Sequence, residues 1–182
     1  DYLGWVDPVQ IYLLAGLFFL FPAGYLLPRL LSATAMFIAC LLLGRLGYRI
    51  SGSVTIGILT SATALVTPWL FESSRLAFGA ALYPLAVTLL LTAVYSAYKK
   101  ERWPIPNIVF LGISLALVTY TYSIGRLLGP LLAFGLIVFA TDFSRLKNVL
   151  KAWTAYAVTL IPLAVFHFRN PGALTGRLSM TV

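Results

Sequence analysis

The stretch IPNIVFLGISLALVTYTYSIGRLLGPLLAFGLIVFAT, residues 105–141, decides how the chain folds. It contains two apolar runs, 105–122 and 127–141, separated by Ser123, Ile124, Gly125 and Arg126. Uncharged runs of this kind are membrane-helix signals, and four residues leave space for only a tight turn. The stretch therefore reads as two antiparallel helices, the second opening on an arginine.

Working outward, further apolar runs cover 30–46, 54–71, 76–98 and 153–168, bounded by Gly, Pro and charged residues. Together they predict an all-α fold, a polytopic transmembrane helix bundle with about six spans between residues 30 and 168. An earlier run, 9–27, contains Gln10, Gly16, Pro22 and Gly24 and is followed by Pro28 and Arg29. It is either an extra span or a juxtamembrane helix in the membrane interface. Pro22 and Pro28 interrupt a helix there, which favours the juxtamembrane reading. The 182 residues are expected to form a single transmembrane domain, itself part of a longer protein.

Composition agrees. Of the chain, 60% is hydrophobic and 10% charged, with a mean hydropathy of +0.94. A soluble domain of that balance lacks the polar surface it needs. One cysteine, Cys40, excludes an internal disulfide, and a single histidine, His167, with five scattered acids disfavours a zinc site. No glycine-rich nucleotide fingerprint, HExxH or GxSxG is present. No cofactor is indicated; a divalent cation stays open.

The formal net charge of +8 first reports topology. Clusters at Arg45/Arg49, at Lys99-Lys100-Glu101-Arg102 and at Arg145/Lys147/Lys151 are each separated by two predicted crossings, so all fall on one side. That side is the cytoplasmic one by the positive-inside rule, and it holds 8 of the 13 basic residues, including every lysine. Division of the charge between two faces disfavours nucleic-acid binding. The other five, Arg29, Arg75, Arg126, Arg169 and Arg177, are all arginine and fall outside.

Exterior arginines have two readings. Any of them can snorkel to lipid headgroups. Alternatively several converge on a phosphorylated ligand, since guanidinium presents a fork of donors that matches phosphate oxygens. Arg75 and Arg126 each stand in a tight turn where a helix begins, and a helix N-terminus beside an arginine favours an anion. The run 127–141 would rise roughly 22 Å against a hydrocarbon core of about 30 Å, so Arg126 is drawn deep or the membrane thins. Pro68, Pro84, Pro130 and Pro162 are expected to kink helices or end their first turns.

Four exterior segments in chain order carry a resemblance. Asp7-Pro-Val-Gln-Ile-Tyr-Leu with Leu20-Phe-Pro-Ala-Gly24 and Pro28-Arg-Leu-Leu-Ser32 comes first; Thr67-Pro-Trp-Leu-Phe-Glu-Ser-Ser-Arg75 follows. Tyr120-Thr-Tyr-Ser-Ile-Gly-Arg126 with Pro130, then His167-Phe-Arg-Asn-Pro171 with Arg177-Leu-Ser179, complete the set. In order and spacing the chain resembles the GT-C superfamily of polytopic glycosyltransferases. The likeness is to the branch holding protein O-mannosyltransferases and bacterial aminoarabinose transferases.

The resemblance implies transfer of a sugar from a polyprenyl-phosphate donor to an acceptor on the extracytoplasmic face of a bacterial cytoplasmic membrane. The catalytic acid of such enzymes would lie before residue 1, and Asp7 reads instead as a helix cap ahead of Pro8. Arg75 and Arg126 are the first candidates for the donor phosphate, then Arg169 and Arg177, with Arg29 the weakest. Tyr122 and Tyr120 could donate to sugar or phosphate, although tyrosine is a common interface anchor. Glu72 is expected to pair with Arg75, and His167 to sit at the interface. The alternative function is a non-catalytic membrane subunit or scaffold that binds lipid and packs against other protein subunits; a transporter is less supported.

Overall fold

The computed structural model describes residues 8–22, 24–76, 79–100 and 103–169, and among them every regular element is a helix. In chain order these are α1 (Pro8–Leu20), α2 (Leu26–Ser51), α3 (Val54–Val66), α4 (Pro68–Arg75), α5 (Tyr83–Tyr98), α6 (Ile105–Thr121), α7 (Gly125–Gly135) and α8 (Phe143–Arg169). Short 3-10 segments, Gly79–Leu82 and Leu136–Phe139, lead into α5 and extend α7. The fold is an all-α bundle, with a helix in each predicted run. Asp7 and Arg177 lie outside the described residues.

Three helices are long and apolar enough to cross a membrane, Leu26–Ser51, Gly79–Tyr98 and Phe143–Arg169, as in an integral membrane protein. A fourth crossing requires the pair α3 and α4, which is bent by 58°. The predicted continuous run 54–71 is thus broken. Its cause is Pro68, whose ring excludes the helical conformation from the residue before it. Thr67 is accordingly extended (φ −63°, ψ 121°), and its hydroxyl donates to the Thr63 carbonyl at 2.7 Å, satisfying an acceptor at the break.

Helices α6 and the α7 segment Gly125–Phe139 are shorter apolar elements. The remaining boundaries also shift. Pro28 lies inside the first turn of α2, where a missing N–H costs little. Helix α8 begins ten residues before the predicted 153, because Val149, Ala152 and Tyr156 bury one face. Lys147 and Lys151 stay exposed on the other, an amphipathic pattern rather than an apolar run.

Helix α6 is the centre. Leu111, Leu115 and Val118 are fully buried and pack with Ala86, Leu90, Ala93 and Ala97 of α5 and with Val149, Ala152 and Tyr156 of α8. The α5 residues recur at spacings of four and three, the interval that keeps one stripe against a partner helix. A second, smaller core joins Met36 and Cys40 of α2 to Ala64 of α3. Hydroxyls inside the helices bond back to their own backbone, as Thr88 to Pro84 at 2.7 Å and Ser114 to Phe110 at 2.7 Å, so little polarity is left to face lipid.

Close helix contact depends on glycine. A Cβ on Gly44 would meet Ser61 Cβ at 2.7 Å, and one on Gly112 would meet Ala155 Cβ at 2.9 Å. Small residues let backbones approach where no hydrophobic effect drives helices together. The connection from α2 to α3 turns at Gly52, with φ +73°, in the left-handed region that glycine enters freely.

The two ends of the bundle differ. At one, Tyr98 of α5 lies 6.2 Å from Phe139, next to the start of α8, and Arg49 of α2 lies over Tyr95 of α5. Arg45/Arg49, Lys99/Lys100 and Arg145/Lys147/Lys151 therefore gather at that end. At the other, Tyr83 of α5 lies 5.9 Å from Tyr122, which follows α6. Replacing Gly112 by Leu is expected to lower stability by about 1–3 kcal/mol, measured as reversible unfolding in mixed micelles. Gly135→Ala, with nothing within 4 Å of its Cβ position, should leave the unfolding midpoint unchanged.

Candidate functional site

Arg126 owes its place to the turn before it. Helix α6 ends at Thr121, Tyr122 is extended (φ −149°, ψ 151°), and the chain reverses at once into α7. Gly125 N–H donates to Tyr122 O at 2.9 Å, Arg126 N–H to Ser123 O at 3.2 Å and Leu127 N–H to Ile124 O at 3.1 Å. Gly125 abuts the Val118 carbonyl, and Gly129 abuts the Thr119 hydroxyl and the Tyr156 hydroxyl; neither position has room for a Cβ. Two glycines one turn apart thus lay α7 on the end of α6, with Arg126 beside the first of them.

This turn bears on the predicted anion site. The first N–H groups of α7 are already taken by the carbonyls of the turn, so the helix terminus contributes mainly through its dipole. Hydrogen bonding to an anion falls to the guanidinium.

Arg126 lines a cavity of about 560 Å³ among α1, α6, α7 and α8. Helix α1 supplies Val9 and Tyr12, α6 supplies Leu117 and Tyr120, and α8 supplies Thr159, Pro162 and Phe166. The walls are mostly aliphatic and aromatic, with the half-buried Arg126 as the one charged side chain among the lining residues. The α8 residues stand at intervals of three and four, on one helical face.

Hydrogen bonds fix that face. The Tyr120 hydroxyl donates to Thr159 O at 2.7 Å, just before Pro162, which lacks an N–H and frees backbone acceptors in the preceding turn. The Thr119 and Tyr156 hydroxyls share a hydrogen bond of 2.6 Å, and Trp153 Nε1 donates to Ala133 O at 2.7 Å, tying α8 to α6 and α7. The Tyr120 hydroxyl proton is thus committed to the Thr159 carbonyl, rather than free for the predicted donation to sugar or phosphate.

Of the predicted site residues among the described residues, Arg126 and Tyr120 line this cavity. Arg75 is exposed on α4, its guanidinium 5.7 Å from the Phe71 ring centroid rather than paired with Glu72. Arg169 and Arg29 are exposed. Tyr122 is half-buried and packs near Tyr83, and His167 is exposed beside Phe168. Arg177 lies outside the described residues. The cavity adds Tyr12, Thr159 and Phe166, whose only sequence signal is helical spacing. Two buried polar atoms, Gln10 Nε2 and the Tyr83 hydroxyl, have no hydrogen-bond partner among the described residues, and neither residue lines the cavity.

Neither family models, nor curated proteins, nor solved structures match this chain. The chemistry must therefore be read from the site. An apolar chamber with one guanidinium in its wall suits an amphiphile whose head is anionic. Among the described residues no three His, Cys, Asp or Glu side chains gather to ligate a metal ion, and the two carboxylates present, Glu72 and Asp142, do not line the cavity. An Arg126→Cys variant is expected to react rapidly with a charged thiol reagent, while the buried Cys40 remains unlabelled; mass spectrometry of the modified chain reads both sites.

Proposed function

We propose that the chain is the membrane-embedded part of a glycosyltransferase of the GT-C kind. In this reading it holds a polyprenyl-phosphate-linked sugar while the sugar passes to an acceptor on the extracytoplasmic face. The observation that carries the proposal is the cavity in which Arg126 stands among apolar walls from four helices. The isoprenoid lies along Leu117, Pro162 and Phe166, and the phosphate meets the guanidinium. Negative charge grows on that phosphate as the sugar leaves, so a fixed cation beside it lowers the barrier.

The basic end is cytoplasmic in this arrangement and the Arg126 end extracytoplasmic, in a bacterial inner membrane. Arg75 and Arg169 attract the donor to this face without entering the cavity.

One observation favours a second reading. Neither carboxylate among the described residues lines the cavity, as in a lipid-binding subunit or scaffold whose partner performs the chemistry.

Two measurements separate these. Arg126→Ala should weaken polyprenyl-phosphate binding roughly ten- to a hundredfold, the loss of charge-assisted hydrogen bonds, with Arg126→Lys intermediate. Binding left unchanged by the alanine variant would remove this cavity as the donor site. In the full-length protein, transfer of radiolabelled sugar from the lipid donor supports the enzyme, and tight binding without transfer supports the scaffold. Sidedness is read by labelling Ser123→Cys and Lys147→Cys with an impermeant reagent; modification from the same side would overturn the topology.

A further inference from the structure

At the basic end, the last turns of α2 and α5 share one aromatic ring. The Tyr95 hydroxyl donates to the Arg49 carbonyl, closing an acceptor at the end of α2. The Arg49 guanidinium lies 5.0 Å from the Tyr95 ring centroid, with Nη1 donating to Ser96 Oγ at 3.5 Å. Lys99 Nζ lies 5.6 Å from the same centroid. Each cation is attracted by the ring, while the two repel one another.

Among the described residues little nearby offsets that charge. Arg45 is exposed one turn before Arg49, and Lys100 Nζ donates to Asn107 Oδ1 at 3.3 Å. Asp142, the carboxylate at this end among the described residues, accepts from the Thr141 hydroxyl at 3.4 Å. Next to Arg45, on the same face of α2, an apolar groove of about 570 Å³ runs between α2 and α3, lined by Leu41, Gly44, Tyr48, Ile58 and Leu65.

We infer that this end binds the headgroup of an anionic phospholipid. Its phosphodiester lies between Arg49 and Lys99, with Arg45 adjacent, and one acyl chain follows the α2–α3 groove. The anion removes the repulsion between the two cations, and the groove gives the chain a surface rougher than bulk lipid offers. Basic residues at helix ends beside an apolar groove are the chemistry that retains such lipids. This site is at the opposite end of the bundle from Arg126 and does not depend on the proposed sugar transfer.

The test is native mass spectrometry of the full chain in detergent, titrated with dioleoyl-phosphatidylglycerol or with dioleoyl-phosphatidylcholine. Phosphatidylglycerol should be retained preferentially. The double variant Arg49→Gln/Lys99→Gln should weaken its binding roughly thirty-fold, and Lys99→Gln alone, at an exposed position, roughly fivefold. Lys147→Gln at the same end should keep full affinity. Equal retention of the two lipids, or a loss in Lys147→Gln as large as in the double variant, would overturn the site in favour of diffuse charge. Displacement of the lipid by millimolar inorganic phosphate would assign the cations to free phosphate instead.

Discussion

The contact between α6 and α7 is the constraint on which the rest of the site depends. With Gly125 against the Val118 carbonyl and Gly129 against the Thr119 and Tyr156 hydroxyls, two backbones approach as closely as their atoms permit. That closeness lets a connection of three residues, 122–124, reverse the chain. It also leaves Arg126 no route to follow except along the wall of the cavity. A larger residue at either glycine would lift α7 from α6 and carry the guanidinium with it. The Thr119–Tyr156 hydrogen bond lies beneath the same contact, so α8 is held in register by the surface that holds α7.

The bundle handles its polar atoms in two ways. Within helices, serine and threonine hydroxyls return to carbonyls of their own turn, which costs the packing nothing. Between helices, polarity is concentrated on tyrosine and tryptophan, whose rings add apolar area to each hydrogen bond. The exception is instructive. Pro162 has no N–H to offer the Val158 carbonyl four residues before it, and Tyr120 reaches across from α6 to the adjacent Thr159 carbonyl. The proline that weakens one helix thereby creates the anchor that attaches it to another.

Apolar runs report membrane helices whatever their partners, so sequence reading located every helix but α4, whose residues 72–75 read as a turn and are helical. It misjudged the start of α8. There the helix opens as an amphipathic segment from Phe143, and a search for continuous apolarity stops at Lys151. It also missed the break at Thr67, although Pro68 carried the signal in the residue before it. The tight turn singled out Arg126 in the sequence, and the structure puts it in the wall of a cavity. Arg75, expected to converge with it, stands exposed on α4 outside the cavity, since residues on α4 and α7 share an end of the bundle without sharing a surface. Tyr12, Thr159 and Phe166 escaped notice because they line a cavity only after α1 is laid beside α6 and α8, a tertiary fact with no local spelling.

Unequal helix lengths have a consequence of their own. Helix α8 is 27 residues long, roughly 40 Å of rise, while the 17 residues of α6 reach only about 26 Å. The excess of α8 is its opening turns, whose Arg145, Lys147 and Lys151 belong at the basic surface. The apolar length of α6 still falls short of a hydrocarbon core of about 30 Å, so a bilayer meeting it would thin and set the tight turn at Arg126 in a dimple. A lipid diffusing in that leaflet enters the dimple by lowering its headgroup, and the hydrophobic mismatch of the bundle does the work of bringing it down.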